Sequence, residues 1–182
     1  MPEEKVLLDK KDMDRAISRI AHEIIENNRG VQNVCLIGIQ RGGVHIARRL
    51  AERIHSIEKQ EVSMGMLDIA MYRDDIDIRA EQPAIRKTDV PFEINDKVIV
   101  LVDDVFFTGR SIRAAMDALM DLGRPVAIQL AVLIDRGHRE LPIRADYVGK
   151  NIPTALNETI EVEFSEDGNE DAVKLMKVAE GR

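Results

Sequence analysis

The chain has 182 residues, of which 45% are hydrophobic and 32% are charged, and this balance is typical of one globular domain. A single cysteine, Cys35, excludes an intrachain disulfide framework and fits a reducing compartment, so we expect a cytoplasmic protein. The net charge of −7 argues against a general affinity for nucleic acid. The N-terminal segment is too charged for a signal peptide, and no run of about eighteen apolar residues occurs, so no membrane association is expected.

The negative charge is concentrated near the C-terminus. Residues 158–171 contain no lysine or arginine and hold seven acids, namely Glu158, Glu161, Glu163, Glu166, Asp167, Glu170 and Asp171. Outside this acidic segment, acidic and basic residues are equal in number. A local basic surface elsewhere on the protein is therefore compatible with the composition.

The N-terminal half of the chain alternates helices and strands. Hydrophobic periodicity predicts, in order, a helix over 13–28, a strand over 33–39, a helix over 44–54 and a strand over 61–72. Asp12 is placed to cap the first helix and Gly30 to end it. Residues 73–96 are charged and have no clear period. Because loops of this length are usually functional lids or disordered, we expect a mobile loop over about 72–90.

The C-terminal half continues the alternation. The predicted elements are a strand over 97–102, a helix over 109–122, a strand over 127–134, an irregular stretch over 136–154 and a strand over 159–164. Strands without polar alternation that are interleaved with helices indicate a parallel sheet covered on both faces. The sequence therefore predicts an α/β fold with a central, mostly parallel sheet, in a single domain over 1–182.

Two adjacent acids, Asp103 and Asp104, follow the predicted strand at 97–102. In open α/β sheets, ligands bind beyond the carboxyl ends of the strands. The turn from Thr108 to Ser111 opens a helix, whose unpaired N–H groups and dipole suit a phosphate. The carboxylates can accept hydrogen bonds from hydroxyl groups, and the adjacent turn can donate hydrogen bonds to a phosphate. Together they predict a site for a ribose 5-phosphate.

Other interpretations of this motif are less favoured. The acids could end a strand in solvent, but the Thr-Gly-Arg-Ser turn at 108–111 then has no explanation. A nucleoside-triphosphate loop would need a G-x-x-x-x-G-K-[ST] pattern, which the sequence lacks. A phospho-acceptor aspartate pair would need an early acid and a lysine that nothing in the sequence marks.

The stretch VIVLVDDVFFTGRS at 98–111 resembles the phosphoribosyl diphosphate (PRPP) motif of the type I phosphoribosyltransferases. The stretch IGIQRGG at 37–43 is similar to the diphosphate loop of the same family. Residues 67–75 and 130–154 narrow the resemblance to the PyrR family of pyrimidine operon regulators, which are also uracil phosphoribosyltransferases. The likeness extends from about residue 6 to about residue 155.

The resemblance implies a type I phosphoribosyltransferase fold with a small hood at about 135–154. It also implies that uracil reacts with PRPP to give UMP and diphosphate. PRPP is assigned to Gln40, Arg41, Gly42, Gly43, Asp103, Asp104, Thr108, Gly109, Arg110 and Ser111. Of these, Asp103, Asp104 and Arg41 are the expected catalytic residues. The family commonly has a cis peptide bond at the position of Gln40–Arg41, and we expect one here.

Mg²⁺ is expected with PRPP near the acid pair, and no metal site of protein ligands alone is expected. Uracil is assigned to Asp135, Arg136, Tyr147 and Val148, with Tyr147 stacking on the base. Tyr72, Arg73, Arg79, Arg86 and Lys87 are expected to close over the site, since water would compete with uracil for the ribose. A homo-oligomer, a dimer or larger, is also expected.

Regulators of this family bind a stem-loop in the leader of pyrimidine mRNA, and UMP strengthens that binding. The residues that match this role are Ser18, Arg19, His22, Arg139, Arg144 and Lys150. Ser18 and His22 are four residues apart, so they share one face of the first helix. Taken alone, that face is better explained as an ordinary solvated helix surface. Three functions stay open: a regulator that is also an enzyme, a salvage phosphoribosyltransferase alone, and a nucleotide sensor without useful catalysis.

Overall fold

The computed structural model describes residues 3–74 and 88–177. The elements in chain order are β1 (Glu4–Leu8), α1 (Lys10–Asn27), β2 (Val34–Ile39), α2 (Gly42–Glu58), β3 (Ser63–Leu67), β4 (Val98–Phe106), α3 (Arg110–Leu122), β5 (Ala127–Asp135), β6 (Tyr147–Asn151), β7 (Glu158–Glu163), a short 3-10 helix (Ser165–Asp167) and β8 (Ala172–Lys177). No helix in these two ranges is long and apolar enough to cross a membrane.

The central sheet has five strands in the order β3-β2-β4-β5-β6, and all neighbouring strands are parallel. Successive residues of β4 face opposite sides of this sheet. Val100 and Val102 pack in the core formed with α1 and α2, whereas Ile99 and Leu101 pack in the core formed with α3. Both faces are buried, so the strands are continuous apolar runs. The predicted α/β architecture with helices on both faces is confirmed.

Strands β1, β8 and β7 form a second, antiparallel sheet in that order. The sequence predicts β7 but neither β1 nor β8. Four of the five β1 residues are at least partly exposed, so β1 lacks the apolar pattern of a core strand. The stretch at 136–154 is not irregular throughout, because residues 147–151 form β6 at the edge of the central sheet, beside β5. The separate small sheet combines segments from both ends of the described chain.

Helix α1 begins three residues earlier than predicted. Asp9 is the N-cap, and its Oδ1 accepts a hydrogen bond of 2.9 Å from the Asp12 backbone N–H. Asp12 Oδ2 accepts one of 3.2 Å from the Asp9 N–H in return. This reciprocal pair is a capping box, so the assignment of the cap to Asp12 is wrong because Asp12 is its second member. At the other end, Gly30 has the positive φ that glycine favours, two residues beyond the C-cap Asn28.

The strand boundaries differ from the predicted ones where a neighbouring strand ends or continues. The predicted strand at 61–72 is shorter, because Leu67 pairs with Ile39 and β2 ends there. The predicted strand at 97–102 is longer, because β5 runs beside β4 as far as the pair Phe106–Asp135. The predicted loop at about 72–90 is described only at 72–74 and 88–90, so the assignments to Arg79, Arg86 and Lys87 lie outside the described residues.

Arg49 of α2 attaches the segment between β7 and β8 to the rest of the domain. Its guanidinium donates to both carboxylate oxygens of Glu166, at 2.8 and 2.6 Å, and to both of Asp171, at 3.1 and 2.8 Å. The Asp171 side chain is only 3% exposed. A carboxylate this buried is stable in its charged form only while it keeps such partners.

We predict that Arg49→Ala destabilises the protein by about 3 kcal/mol, since it leaves the Asp171 carboxylate buried and unpaired. Arg48→Ala, at the exposed neighbouring position, is the control and should change the free energy of unfolding by less than about 0.5 kcal/mol. Chemical denaturation measures both values. Hydrogen bonds from Arg49 lower the pKa of Glu166, so the stabilisation is present above about pH 4 and is lost as the pH falls through the folded pKa. Equal stabilities of the two variants at pH 7 would contradict the prediction.

Candidate active site

The acid pair lies inside β4, where that strand extends beyond its pairing with β2. The last pair between these two strands is Gly38–Val102, and β4 continues to Phe106. Asp103 Oδ1 accepts a hydrogen bond of 2.8 Å from the Asp104 N–H. Asp104 Oδ1 accepts one of the same length from the Val105 N–H. The carboxylates are thus held by their own backbone on a strand flank that β2 leaves open.

The predicted diphosphate loop fills the space beside this flank. The Gln40–Arg41 peptide bond is cis, as expected, and the Gln40 N–H donates to the Leu67 carbonyl at 2.9 Å. A Cβ atom at Gly42 would overlap the Asp104 carboxylate, and one at Gly43 would overlap the Val102 carbonyl. Glycine at both positions therefore allows the loop backbone to lie against the acid pair. The structure brings together two motifs that are about sixty residues apart in the sequence.

The carboxyl of Asp103 lies in surroundings that disfavour its charged form. Burial and the neighbouring charge of Asp104 raise its pKa well above the ordinary value, and the positive charge of Arg73 opposes them only in part. Carboxylate oxygens are the ligands that Mg²⁺ prefers, and that ion is usually held by one or two carboxylates together with substrate phosphates. A bound cation would offset the repulsion between the two acids. The donor set therefore fits Mg²⁺ held jointly with PRPP. Within 3–74 and 88–177 no cluster of three metal-ligating side chains exists.

The phosphate turn forms the start of α3 beside the acid pair. Gly109 is the N-cap with φ of +92°, and Thr108 Oγ1 accepts a hydrogen bond of 3.2 Å from the Arg110 N–H. A cavity of about 250 Å³ opens here, and its lining includes Arg73, Asp103, Phe107, Thr108, Gly109, Arg110 and Ser111. The first turn of a helix has N–H groups without partners in the helix, so this cavity suits an anion.

Arg110 forms ion pairs with two acids at the rim of this cavity. Its guanidinium donates to Asp74 Oδ2 at 2.8 Å and to Glu140 Oε1 at 2.9 Å. Arg113 donates to the same oxygen of Asp74 at 3.0 Å. The start of the predicted mobile loop is therefore held against the phosphate turn by charged contacts.

The four residues assigned to uracil do not lie together. Asp135 is the last residue of β5, Arg136 follows it, and both are buried. Tyr147 lies in the core beneath α1, and its hydroxyl donates to Gln129 Oε1 at 2.7 Å and accepts from Asn27 Nδ2 at 2.9 Å. The structure therefore places the Tyr147 ring among core side chains and not at the cavity, because in this register its side chain faces the helix. Val148 packs on the opposite face of the sheet.

Phe107 is an aromatic residue at the site that the sequence reasoning did not assign. It lines the cavity beside Asp103, and the Arg136 guanidinium lies 4.0 Å from its ring centroid. His138 meets the same ring edge-on at 5.6 Å. The signal in the sequence is its position as the second of two aromatic residues between the acid pair and the turn at 108–111.

The residues assigned to RNA fall into two groups. Ser18, Arg19 and His22 lie on α1, which packs beside β6. Arg19 links the two elements, since it donates to the Val148 carbonyl at 3.1 Å and also to the Gly149 carbonyl. Lys150 is exposed on the same strand. We call Ser18, Arg19, His22 and Lys150 the α1–β6 surface.

The other two residues assigned to RNA are not part of this surface. Arg139 donates to Asp135 Oδ2 at 2.7 Å, so it lies at the carboxyl end of β5. Arg144 is exposed in the connection that precedes β6.

Comparison with known proteins agrees with this geometry. Residues 4–168 match the family described as phosphoribosyl transferase domain. A hypoxanthine phosphoribosyltransferase from Staphylococcus aureus has a similar fold, with a TM-score of 0.71 at 21% sequence identity over 95% of this chain and 91% of that one. The chain therefore belongs to the phosphoribosyltransferase family, as the motif at 98–111 predicts.

Relatives at higher identity narrow the assignment. A protein from Pelotomaculum thermopropionicum named bifunctional protein PyrR is 57% identical over 178 residues, which cover 98% of each chain. A protein of the same name from Bacillus cereus is 56% identical over 96% of this chain and 98% of its own. Within the phosphoribosyltransferases the chain is thus a member of the PyrR family, and this confirms the resemblance found in the sequence.

We predict that Asp103→Asn makes the protein more stable at neutral pH. The raised pKa means that the folded state binds this proton more tightly than the unfolded chain, so ionisation destabilises the fold as the pH rises above about 4. The variant keeps the Oδ1 acceptor and removes the charge. Its Tm at pH 7 should exceed that of the wild type, by about 2–4 °C for each kcal/mol relieved, and the gain should vanish near pH 4.

Thermal unfolding followed by circular dichroism across pH 4–8 measures this difference. Asp117→Asn, at a position 55% exposed on α3, is the matched control and should show no such gain. A lower Tm for Asp103→Asn than for the wild type at pH 7 would contradict the assigned charge repulsion.

Proposed function

We propose that this protein transfers the 5-phosphoribosyl group of PRPP to uracil, giving UMP and diphosphate, and that it also regulates pyrimidine genes by binding leader RNA. The observation that carries the enzymatic part is the contact of the glycine loop at 42–43 with Asp104, beside the cavity at the start of α3. The regulatory part is supported by the identity with proteins named bifunctional PyrR.

In this proposal each motif binds one part of PRPP. Asp103 and Asp104 accept hydrogen bonds from the two ribose hydroxyls. Thr108, Gly109, Arg110 and Ser111 bind the 5-phosphate, and Gln40, Arg41, Gly42 and Gly43 bind the diphosphate. Mg²⁺ bound with PRPP near the acid pair would neutralise part of the charge on the leaving diphosphate. As the bond from uracil to C1 of the ribose forms, the bond from C1 to diphosphate breaks, and positive charge develops on the sugar close to both carboxylates.

We assign the base contact to the end of β4 and the end of β5. Phe107 offers an aromatic ring beside Asp103. The buried residues Asp135 and Arg136 would contact the edge of uracil by exchanging bonds that Asp135 makes to Arg139 and Arg136 makes to Thr154. Tyr147 is left out, because its hydroxyl and ring are engaged beneath α1. Closure of the loop at about 72–90, starting from Tyr72 and Arg73, would exclude water from the reacting carbon.

We predict that the purified protein makes UMP from PRPP and uracil in the presence of Mg²⁺, and that Asp104→Asn lowers kcat/KM by about 10- to 100-fold. The substitution removes a charge-assisted hydrogen bond worth about 1.5–3 kcal/mol but keeps the acceptor for the Val105 N–H. Asp117→Asn is the control and should retain full activity. A wild-type protein that forms no Mg²⁺-dependent product with uracil, hypoxanthine, guanine or orotate would refute the transferase.

The α1–β6 surface is the proposed RNA contact. It combines cations with a hydroxyl and an imidazole, which suit phosphates and the unstacked bases of a loop. Arg139 and Arg144 would extend it from the segment that leads into β6. One observation favours the alternative, a salvage enzyme without an RNA role: Arg19 already donates to Glu23 and to two carbonyls of β6, which is a structural use of its donors.

We predict that Arg19→Gln and Arg144→Gln each weaken binding of a pyrimidine leader transcript and reduce the slope of log affinity against log salt by about 1, with UMP synthesis unchanged. Arg124→Gln is the matched control, since it makes the same charge change just after α3, the helix on the other face of the sheet. Filter binding with and without UMP provides the affinities, and RNA should tighten UMP binding by the same factor as UMP tightens RNA binding. If both variants bind RNA as well as the wild type, the salvage enzyme alone remains.

A further inference from the structure

The acidic segment at 158–171, which the proposed function does not use, contacts the diphosphate loop. The 3-10 helix at Ser165–Asp167 lies over the start of α2, where basic residues recur every fourth position as Arg41, His45 and Arg49. Residues four apart share one face of a helix, and we call these three the basic ridge. Arg49 binds Glu166 and Asp171, whereas Arg41 and His45 share a single carboxylate oxygen of Asp167.

Arg41 can readily exchange Asp167 for another anionic partner. One guanidinium nitrogen of Arg41 lies 2.6 Å from Asp167 Oδ1, and the Arg41 side chain is 54% exposed. An exposed ion pair of this kind contributes little to the stability of the fold. Only one guanidinium nitrogen of Arg41 bonds to Asp167. Diphosphate offers several charged oxygens to the same planar group and binds it in more than one place.

His45 supplies a second partner for Asp167 when Arg41 leaves. Its Nε2 lies 3.2 Å from the same Oδ1, and its side chain is 14% exposed. The ring is held against Phe164, with a centroid distance of 5.0 Å. The Asp167 carboxylate therefore keeps a neighbouring hydrogen-bond donor when Arg41 leaves it.

We propose that Asp167 is a positioning residue for Arg41. The Asp167 carboxylate binds the Arg41 guanidinium in competition with diphosphate, and this competition sets the affinity for PRPP. This inference rests on the proposed function, because it takes Arg41 as a ligand of the diphosphate. Removing the Asp167 carboxylate frees Arg41 and also removes a negative charge beside the loop. Both effects strengthen binding of an anionic ligand.

The test is a calorimetric titration of the full chain with inorganic diphosphate in the presence of Mg²⁺. Asp167→Asn should bind diphosphate about two- to fivefold more tightly than the wild type, the range expected for an exposed ion pair. The KM for PRPP should fall by the same factor, with kcat within twofold of the wild type. Glu170→Gln removes the same charge from an exposed position three residues along the same segment, and it should leave both values unchanged.

A second variant separates exchange of partners from a general effect of charge. His45→Phe keeps the ring against Phe164 but removes the second donor to Asp167, so diphosphate should bind more weakly. In the Asp167→Asn background the same substitution should have no effect. Circular dichroism establishes that each variant is folded at the titration temperature.

The inference is overturned if Asp167→Asn binds diphosphate as the wild type does or more weakly, or if Glu170→Gln tightens binding equally. In those cases the wild type still binds PRPP, and the proposed transferase stands. If the wild type binds neither PRPP nor diphosphate, the proposed function itself fails, and the competition fails with it.

Discussion

The site depends on one constraint, the close approach of the loop after β2 to the backbone of β4. Strand β2 stops at Ile39 while β4 continues to Phe106, so the chain that leaves β2 must turn beside the bare flank of its neighbour. Gly43 makes that turn possible, because any side chain there would collide with the Val102 carbonyl. The start of α2 and the loop that precedes it therefore lie in contact with β4 at the acid pair. Packing thus requires glycine at 42 and 43, and the proposed diphosphate site depends on the same two residues.

The charged surface of α2 gives the two sheets a second connection. Apolar contacts of Phe164 and Val173 place the small sheet over the core beneath α1 and α2, and the basic ridge binds the acids that follow β7. Three of the seven acids of this segment, Glu166, Asp167 and Asp171, thus face side chains of the basic ridge. Part of the negative charge of the segment is therefore paired within the molecule.

Contiguous patterns in the sequence predict four of the five strands of the central sheet and the family of the chain, since each pattern depends on neighbours along the chain. Strand β6 lies in the stretch at 136–154 that is expected to be irregular. The ends of strands were predicted less well. Two acids normally mark where a strand leaves the core, yet Asp103 and Asp104 remain in β4 because β5 continues beside it. Strand β1 was missed because its exposed residues are held by pairing with β8, from the far end of the chain, and no local pattern records that partner.

Side-chain direction set a similar limit at the site. In a strand, a shift of one residue moves a side chain to the other face of the sheet. The resemblance placed Tyr147 near the base by its position along the chain, whereas the register of β6 directs it beneath α1. Phe107 was within the quoted motif, but only the arrangement of Arg136 and the cavity around it indicates its use.

The pairing of β1 with β8 has a consequence for how the protein is made. Glu4 lies opposite Met176, so β1 has no partner until β8, far along the chain, has also been synthesised. Meanwhile the five parallel strands can assemble, because each finds its neighbours earlier. The acids that pair with Arg41 and Arg49 also lie near β8, at Glu166, Asp167 and Asp171. In the nascent chain these two arginines are therefore synthesised long before their acidic partners. A nascent chain that stops before residue 165 would therefore carry the diphosphate loop without the acids that contact Arg41 and Arg49.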